Sequence, residues 1–383
     1  MINKTQRVIS FLSKGYNNNS SSASKVPFTI QLNGHPKQLI GNGEPGFNLV
    51  FKNKNSVNAL TSMDDTKIIE AYMAGDIDIE GDLLKTFELR GMFRDFHPLQ
   101  YLWCFIHPLI FGQVASDRKW IAEHYDLEQD FYLTFLDSRH RCYSQGVFEY
   151  DNEALEDAIT RKLDYALQAT LLQPGQHVLD IGGGWGSFVE YAGQRGIRVT
   201  SLTLSKESEM FINNIIKKDT LPCQVVRQHL FEHNPEVKYD AIVNLGVTEH
   251  LTNYGLTIKK YQSLVKPGGR IYLDASGSRT KFGFHSFIYR YIYPGNYSPV
   301  CLHEYLQKLS LTNMQLVEVI NDRHNYYLTT KCWAENLDSN RNVIISRWGE
   351  FLYRKFQVYL WGCVDVFNKD IMQAYRWVLE AKK

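Results

Sequence analysis

The sequence predicts an α/β fold with a doubly wound parallel sheet, and three observations support this. A short apolar run at 178–181 breaks into a glycine-rich turn, and a helical pattern begins at Phe188. Further apolar runs at 198–205, 239–246 and 270–273 are separated by stretches long enough for a helix. Strands that alternate with helices through short turns are typical of a parallel sheet covered on both faces.

Length and composition set the class of protein. The chain has 383 residues, enough for one large domain and a smaller one, and 44% of them are apolar. The net charge of +1 gives no overall field for nucleic acid, so we expect no nucleic-acid partner. Six cysteines without a C-x-x-C pair argue against a zinc site and for a reducing compartment. We therefore expect a cytoplasmic protein without a metal.

The N-terminal quarter predicts a flexible segment and then a small domain. Residues 1–26 lack a sustained apolar core and end in a stretch rich in asparagine and serine, so we expect a flexible segment and no signal peptide. Residues 27–95 carry short alternating runs at 28–32 and 47–51 and a helical pattern at 66–73. These patterns predict a small α+β domain.

Residues 96–118 are interpreted as an apolar linker. The stretch 96–112 is rich in aromatic residues but is interrupted by Pro98 and Pro108, and it is too short to span a bilayer. It is either a patch that contacts membrane or acyl chain, or a connection packed between domains. The remaining residues, 119–383, are assigned to the large domain.

The glycine turn predicts a cofactor site. Gly182, Gly184 and Gly186 permit positive φ and let a ligand lie against bare backbone, next to the unpaired N–H groups of the following helix. Such turns serve NAD, FAD and S-adenosylmethionine alike. The next strand ends in threonine and serine, starting at Thr203, where an NAD site would have Asp or Glu.

The ordered series of motifs resembles class I S-adenosylmethionine-dependent methyltransferases and, more closely, the cyclopropane-fatty-acid synthase and mycolic acid methyltransferase family. It runs over nearly the whole chain, which makes a chance match hard to explain. The motifs that carry the resemblance are His124-Tyr125-Asp126, Tyr143-Ser144, the loop 180–186, 202–206, Glu249-His250, 266–269, 293–295 and Tyr326.

The resemblance implies a Rossmann-like, seven-stranded methyltransferase sheet with S-adenosylmethionine as cofactor. It also implies that the small N-terminal domain is a structural, dimerising module, which leaves a homodimer open. The cofactor-binding residues that it implies are Tyr143, Ser144, Asp180, Gly182, Gly184, Gly186, Thr203, Leu204 and Phe231.

In the resembled family a bound bicarbonate acts as the base, held by Glu, His, Tyr and backbone around Cys and Ile. Here Glu249 and Tyr326 fit that pattern, whereas Gln145 replaces the Cys and Asp274 replaces the His. Two carboxylates at about 4 Å repel by roughly 4 kcal/mol at an effective dielectric of about 20, which argues against a further anion. The resemblance also places Tyr125 near the reacting centre. The catalytic candidates are therefore Glu249, Asp274, Tyr326, Gln145 and Tyr125.

The resemblance implies methyl transfer to the double bond of unsaturated phospholipid acyl chains, at the inner face of the membrane. The product would be a cyclopropane or a methyl-branched chain. Three hypotheses follow from the altered site: Asp274 or Glu249 is the base, the pair binds an amine in an N-methyltransferase, or the protein is a non-catalytic cofactor- and lipid-binding homologue. The aromatic segment 282–297 resembles the family's acyl-binding insertion, and a core helix is the alternative.

Overall fold

The computed structural model describes residues 9–10, 12–17, 26–95, 97–112, 114–116, 118, 129–283, 285–295 and 297–382. The chain forms two compact units. Unit 1 comprises residues 1–101, 285–291 and 337–365, and unit 2 comprises 102–284, 292–336 and 366–383. Tyr125 lies outside the described residues. The predicted domain boundaries stay a prediction.

The described strands are distributed over two sheets, with the order β2-β1-β3-β4 in unit 1 and β10-β11-β9-β8-β5-β6-β7 in unit 2. The strands are β1 Phe28–Leu32, β2 Gln38–Ile40, β3 Phe47–Phe51, β4 Ile77–Gly81, β5 His177–Ile181, β6 Arg198–Thr203, β7 Cys223–Arg227, β8 Tyr239–Leu245, β9 Val265–Gly277, β10 Met314–Asn321 and β11 Gln373–Ala381.

The described helices lie mostly between successive strands, as the sequence pattern predicts. They are α1 Lys54–Ser62, α2 Asp65–Met73, α3 Leu83–Thr86, α4 Pro98–Phe111, α5 Gln129–Leu133, α6 Leu155–Ala169, α7 Ser187–Gly193, α8 Lys206–Lys218, α9 Tyr254–Leu264, α10 Leu302–Leu309, α11 Arg323–Ser339, α12 Arg341–Trp348 and α13 Glu350–Asn368.

Unit 1 is a four-stranded mixed sheet with helices from distant parts of the chain. The turn at Asn33 and Gly34 has positive φ at both residues and leads into the short β2, while β1 pairs with β3 in parallel. Arg354 of α13 is buried and donates to the carbonyl oxygens of Tyr72 and Ile77 and to Oδ1 of Asp78, at 3.1, 2.8 and 2.6 Å. The C-terminal stretch 337–365 thus supplies a central contact of the small unit.

Unit 2 confirms the predicted fold class. Its seven-stranded sheet has β5 to β9 in parallel, and β11 is antiparallel to both β9 and β10. β10 occupies the edge of the sheet, and the final strand β11 lies inside it, between β10 and β9. β9 also starts earlier than predicted, at Val265, so that the Pro-Gly-Gly lies within the strand.

The core of unit 2 places the carboxyl ends of the parallel strands around one cavity. Apolar residues of β5, β8, β9 and β11 form a single buried cluster with α9 and α10, including the fully buried Tyr261, Ile271 and Trp377. In an open α/β sheet, ligands bind outside the carboxyl ends of the strands, where the order of strands reverses. Here β6 follows β5 on one side of the sheet and β8 lies on the other side of β5, so the strand order reverses at β5. The expected ligand site is therefore at the carboxyl end of β5, at Ile181.

Candidate functional site

The glycine turn after β5 adopts the conformation that its sequence predicts. Gly182, Gly184 and Gly186 have φ of 83°, 51° and 77°, a region that favours glycine, and α7 begins at Ser187. A Cβ on Gly182 would collide with Val247. A Cβ on Gly184 would meet only the Gly182 carbonyl oxygen, at 3.9 Å. Gly184 therefore leaves a strip of bare backbone open to the cavity.

The cavity next to this turn contains most of the predicted cofactor residues in its wall. Tyr143 and Ser144 line one side, Asp180 with Gly182 and Gly184 the turn, and Thr203 with Leu204 the end of β6. Gly186 and Phe231 are not in the wall. The residues that the sequence interpretation did not assign to the cofactor include Trp185, Gln228, His229, Val247 and His250.

The wall beyond β7 differs from the prediction. Gln228, His229 and Leu230 line the cavity there, and the Phe231 N–H donates to Nδ1 of the buried His229 at 3.1 Å. The sequence could have indicated these three residues as part of the ligand site, because they directly follow β7 and the carboxyl ends of parallel strands meet at one edge of the sheet. Phe231 as an adenine-stacking residue stays a prediction.

Asp180 ends the apolar run of β5 as a buried carboxyl group. Ser201 on β6 donates a hydrogen bond to its Oδ2 at 2.6 Å. Burial raises the pKa of Asp180 to about 6, although the Ser201 hydrogen bond works in the opposite direction. Asp180 is therefore held in place at the cavity wall by a donor on the neighbouring strand.

Glu249 lies in the short 3-10 turn Thr248–His250, between residues that line the cavity. Its Oε1 accepts from the Ser276 N–H at 2.7 Å and from the Ser276 hydroxyl at 2.9 Å. Its Oε2 is buried and has no hydrogen-bond partner among the described residues. Burial, with a contribution from the charge of Asp274, raises the pKa of Glu249 to about 7. One oxygen is thus fixed, and the other remains available as a proton acceptor.

Asp274 corrects the expectation of two uncompensated carboxylates. Its Oδ2 lies 3.1 Å from Nζ of Lys162 on α6, and both side chains are fully buried. Burial raises the pKa of Asp274 even so, while its carboxylate holds the pKa of Lys162 above the ordinary value against the effect of burial. The pair is best described as a carboxylate and an ammonium, so the predicted like-charge repulsion is offset by a cation that the sequence interpretation missed.

Two more catalytic candidates have structural partners in unit 2. The Gln145 Nε2 donates to Oδ2 of Asp322 at 2.9 Å, and the other oxygen of Asp322 lies 3.1 Å from Nη1 of Arg376. The ring of Tyr326 stacks on Phe367 with centroids 4.6 Å apart. Neither residue is part of the cavity wall. Their predicted catalytic roles are untested.

The residues present do not fit bicarbonate. At the positions that would have to donate to an anion, Asp274 is a carboxylate already paired with Lys162, and the Gln145 amide is already bound to Asp322. The oxygens in this region without a hydrogen-bond partner among the described residues include Oε2 of Glu249, Oδ1 of Asp274 and Oε1 of Gln145, and these three are acceptors. A further anion beside Glu249 and Asp274 would meet the repulsion of two carboxyl groups.

The glycine turn, the cavity at the carboxyl end of β5 and the antiparallel β11 define a class I S-adenosylmethionine-dependent methyltransferase domain, with S-adenosylmethionine as its cofactor. The bare backbone at Gly184 fits such a ligand, and Thr203, Leu204 and Ser144 would hold it. Residues 113–377 match the family model of mycolic acid cyclopropane synthetase. The chain therefore belongs to that family, while residues 15–90 match a domain of unknown function.

Individual relatives are similar at moderate identity. A sphingolipid C9-methyltransferase of Candida albicans is 26% identical over 336 residues, which cover 81% of this chain and 64% of that protein. Cyclopropane mycolic acid synthase 3 of Mycobacterium tuberculosis is 29% identical over 282 residues, 68% of this chain and 96% of that protein. The chain thus spans less than two thirds of the Candida relative.

Solved structures agree with this assignment. A cyclopropane synthase from Mycobacterium tuberculosis superimposes with a TM-score of 0.64 at 26% identity, covering 69% of this chain and 98% of that chain. A mycolic acid cyclopropane synthase in complex with SAH and CTAB gives the same TM-score and coverage at 25% identity.

Proposed function

We propose that this protein transfers the methyl group of S-adenosylmethionine to the double bond of an unsaturated lipid chain, with phospholipid acyl chains as substrate. The observation that carries the proposal is Glu249, a buried carboxyl group beside the cofactor cavity with one oxygen that has no hydrogen-bond partner among the described residues. Methylation of a carbon–carbon double bond leaves a proton to be removed, which requires such an acceptor. Two relatives, a sphingolipid C9-methyltransferase and a cyclopropane mycolic acid synthase, support a lipid substrate.

Methyl transfer to the double bond needs only S-adenosylmethionine, the lipid and a proton acceptor. The bound cofactor supplies an electrophilic methyl group on a sulfonium. The π electrons of the double bond form the new C–C bond, the C–S bond breaks with its electron pair remaining on sulfur, and the neighbouring carbon becomes cationic. Loss of a proton from the new methyl group closes a cyclopropane, whereas loss from an adjacent carbon leaves a methyl-branched alkene.

Glu249 is the acceptor of that proton in this scheme. A pKa of about 7 leaves a substantial ionised fraction at neutral pH and makes the carboxylate a stronger base than an exposed one. Ser276 fixes Oε1 through two hydrogen bonds, which leaves Oε2 to receive the proton. Asp274 is less suited to this role, because Lys162 already pairs with it.

We also propose contact with the membrane surface on its cytoplasmic side. Helix α4 has Leu102, Trp103, Ile110 and Phe111 between 53% and 62% exposed, and it carries no charged residue. Apolar side chains at the lipid interface gain free energy by leaving water. None of the helices within the described parts of the chain is both long enough and apolar enough to cross a membrane.

The test uses purified protein with vesicles of unsaturated phosphatidylglycerol and S-adenosylmethionine carrying an isotopically labelled methyl group. We expect label in the acyl chains and a mass gain of one CH₂ per modified chain, lost in Glu249→Gln. Ozonolysis then separates the products, because it cleaves a methyl-branched alkene and spares a cyclopropane.

Parallel reactions with unsaturated ceramide and with small amines distinguish other substrates. Label in ceramide alone would replace phospholipid by sphingolipid in the proposal. Label in an amine, with both lipids unchanged, would overturn it in favour of N-methyl transfer. Cofactor binding without transfer to any of the three would indicate a non-catalytic homologue.

A further inference from the structure

Lys162 is an unusual residue for its position in the fold. It lies on the apolar face of α6, among Ala158, Ile159 and Ala166, and all four side chains are fully buried. A lysine is almost never fully buried unless a partner compensates its charge. Its environment therefore has to account for the ammonium group.

The ammonium group of Lys162 connects the cavity wall with β9. Besides its 3.1 Å contact with Oδ2 of Asp274, it donates to the Ser144 hydroxyl and lies 3.5 Å from Sγ of Cys142. Cys142 and Ser144 are both part of the cavity wall. The Gly246 N–H, also in the wall, donates to the carbonyl oxygen of Asp274 at 3.1 Å. One buried cation thus holds two sides of the cavity together.

Stability alone does not explain this pair. Replacing a buried ion pair by apolar residues of similar volume is often neutral or stabilising, because both charges lose their hydration in the fold. The neighbours of Lys162 on this face of α6, Ala158, Ile159 and Ala166, are apolar and fully buried, so an apolar side chain suits the position. The pair lies instead beside a second carboxyl group, Glu249. In the proposed reaction Asp274 has to stay a carboxylate while Glu249 takes up a proton.

We propose that Lys162 is a positioning residue of the methyl-transfer site. Its ammonium group holds the Ser144 hydroxyl in the cofactor wall and keeps Asp274 as a paired carboxylate, so that Glu249 alone receives the proton. This inference rests on the proposed function, because it assigns Glu249 as the acceptor. Lys162 acts through Ser144 and Asp274 and does not touch the reacting atoms.

The groups that act on Glu249 come from several elements. Asp274 on β9 carries a negative charge that helps to raise the pKa of Glu249, after burial. Lys162 on α6 balances that charge, and Tyr254 on α9 interacts electrostatically with Glu249. Burial lowers the pKa of the neighbouring His250 to about 4, so its ring is neutral near pH 7. Loss of Lys162 would leave Asp274 to take up a proton and would remove the charge that acts on Glu249.

The experiment compares Lys162→Met with the double variant Lys162→Met/Asp274→Leu, and Lys259→Met, at an exposed position, serves as a surface control. Infrared titration of the purified protein follows the protonated carboxyl bands, and Glu249→Gln identifies the band of Glu249. Calorimetry measures the affinity for S-adenosylmethionine, and the vesicle assay measures turnover. The infrared and calorimetric measurements need no lipid turnover, so they test Lys162 even where the proposed function fails.

In Lys162→Met we expect a new protonated carboxyl band from Asp274, a Glu249 titration at lower pH than in the unchanged protein, and roughly tenfold weaker cofactor binding. The double variant folds with native stability because no buried charge is left unpaired. Its Glu249 still titrates at lower pH, and its turnover stays roughly tenfold reduced. A double variant with the original Glu249 titration, cofactor affinity and turnover would overturn the inference and leave a purely structural pair. If Lys162→Met does not fold, the Glu249 titration, cofactor affinity and turnover of the double variant test the inference.

Discussion

Gly184→Ala offers a direct test of the cofactor site. Gly184 has φ of 51°, and an alanine there pays about 1 kcal/mol in the left-handed region. Its methyl group would not clash within the protein, since the nearest atom is the Gly182 carbonyl oxygen at 3.9 Å, so it would occupy ligand space. Intrusion into a packed contact costs about 1–3 kcal/mol. At about 1.4 kcal/mol per factor of ten, affinity for S-adenosylmethionine should fall roughly tenfold to hundredfold.

The matched control is Gly196→Ala. Gly196 has a φ of 73° and lies in an exposed turn, where an added Cβ would meet only the Pro174 Cβ at 3.7 Å. Both variants should therefore lose a similar amount of folding free energy, measured by denaturant unfolding. Isothermal titration calorimetry should show weaker cofactor binding for Gly184→Ala alone. Equal affinities in the two variants would refute the assignment of this strip of backbone to the cofactor.

Three further predictions follow from the same structure. Methyl transfer should rise as pH increases through about 7, because Glu249 must be ionised. Since burial raises its pKa from 4.5 to about 7, folding stability should fall as pH rises from about 4.5 to about 7, and Glu249→Gln should flatten that fall in urea titrations. Removal of bicarbonate from the buffer should leave turnover unchanged, whereas a dependence on added bicarbonate would contradict the assignment of the base. Arg354→Met should destabilise unit 1 by about 3–5 kcal/mol, seen as faster hydrogen exchange in its sheet with unchanged cofactor affinity, while the exposed Arg341→Met should leave exchange unaltered.

The cofactor wall could be predicted because its signals are local in sequence. The apolar run, the glycines and the helix after 186 lie within a dozen positions, and their conformations follow from φ requirements that only glycine meets easily. Thr203 was predictable as the polar end of a buried strand, whereas Leu204 was implied by the family resemblance. Gly182, Gly184, Thr203 and Leu204 line the same cavity.

The Lys162–Asp274 pair could not be predicted with equal ease, because its partners are far apart in sequence. A signal existed: Lys162 stands at helical spacing from Ala158, Ile159 and Ala166, which indicates a lysine on a buried face. Its partner is set by the packing of α6 on β9, which no local pattern specifies. The position of β11 inside the sheet is likewise a tertiary property, since a strand's neighbours depend on the whole topology.

The order of the strands has a consequence for how the protein is made. β11 ends at Ala381, yet it lies between β9 and β10, and Arg354 completes the hydrogen bonding of a sheet whose strands end at Gly81. During synthesis the large sheet cannot close until β11 has been made. Until then β9 and β10 present unpaired edges, which are templates for aggregation. Deletion of β11, Gln373–Ala381, would therefore remove an interior strand and expose the edges of β9 and β10.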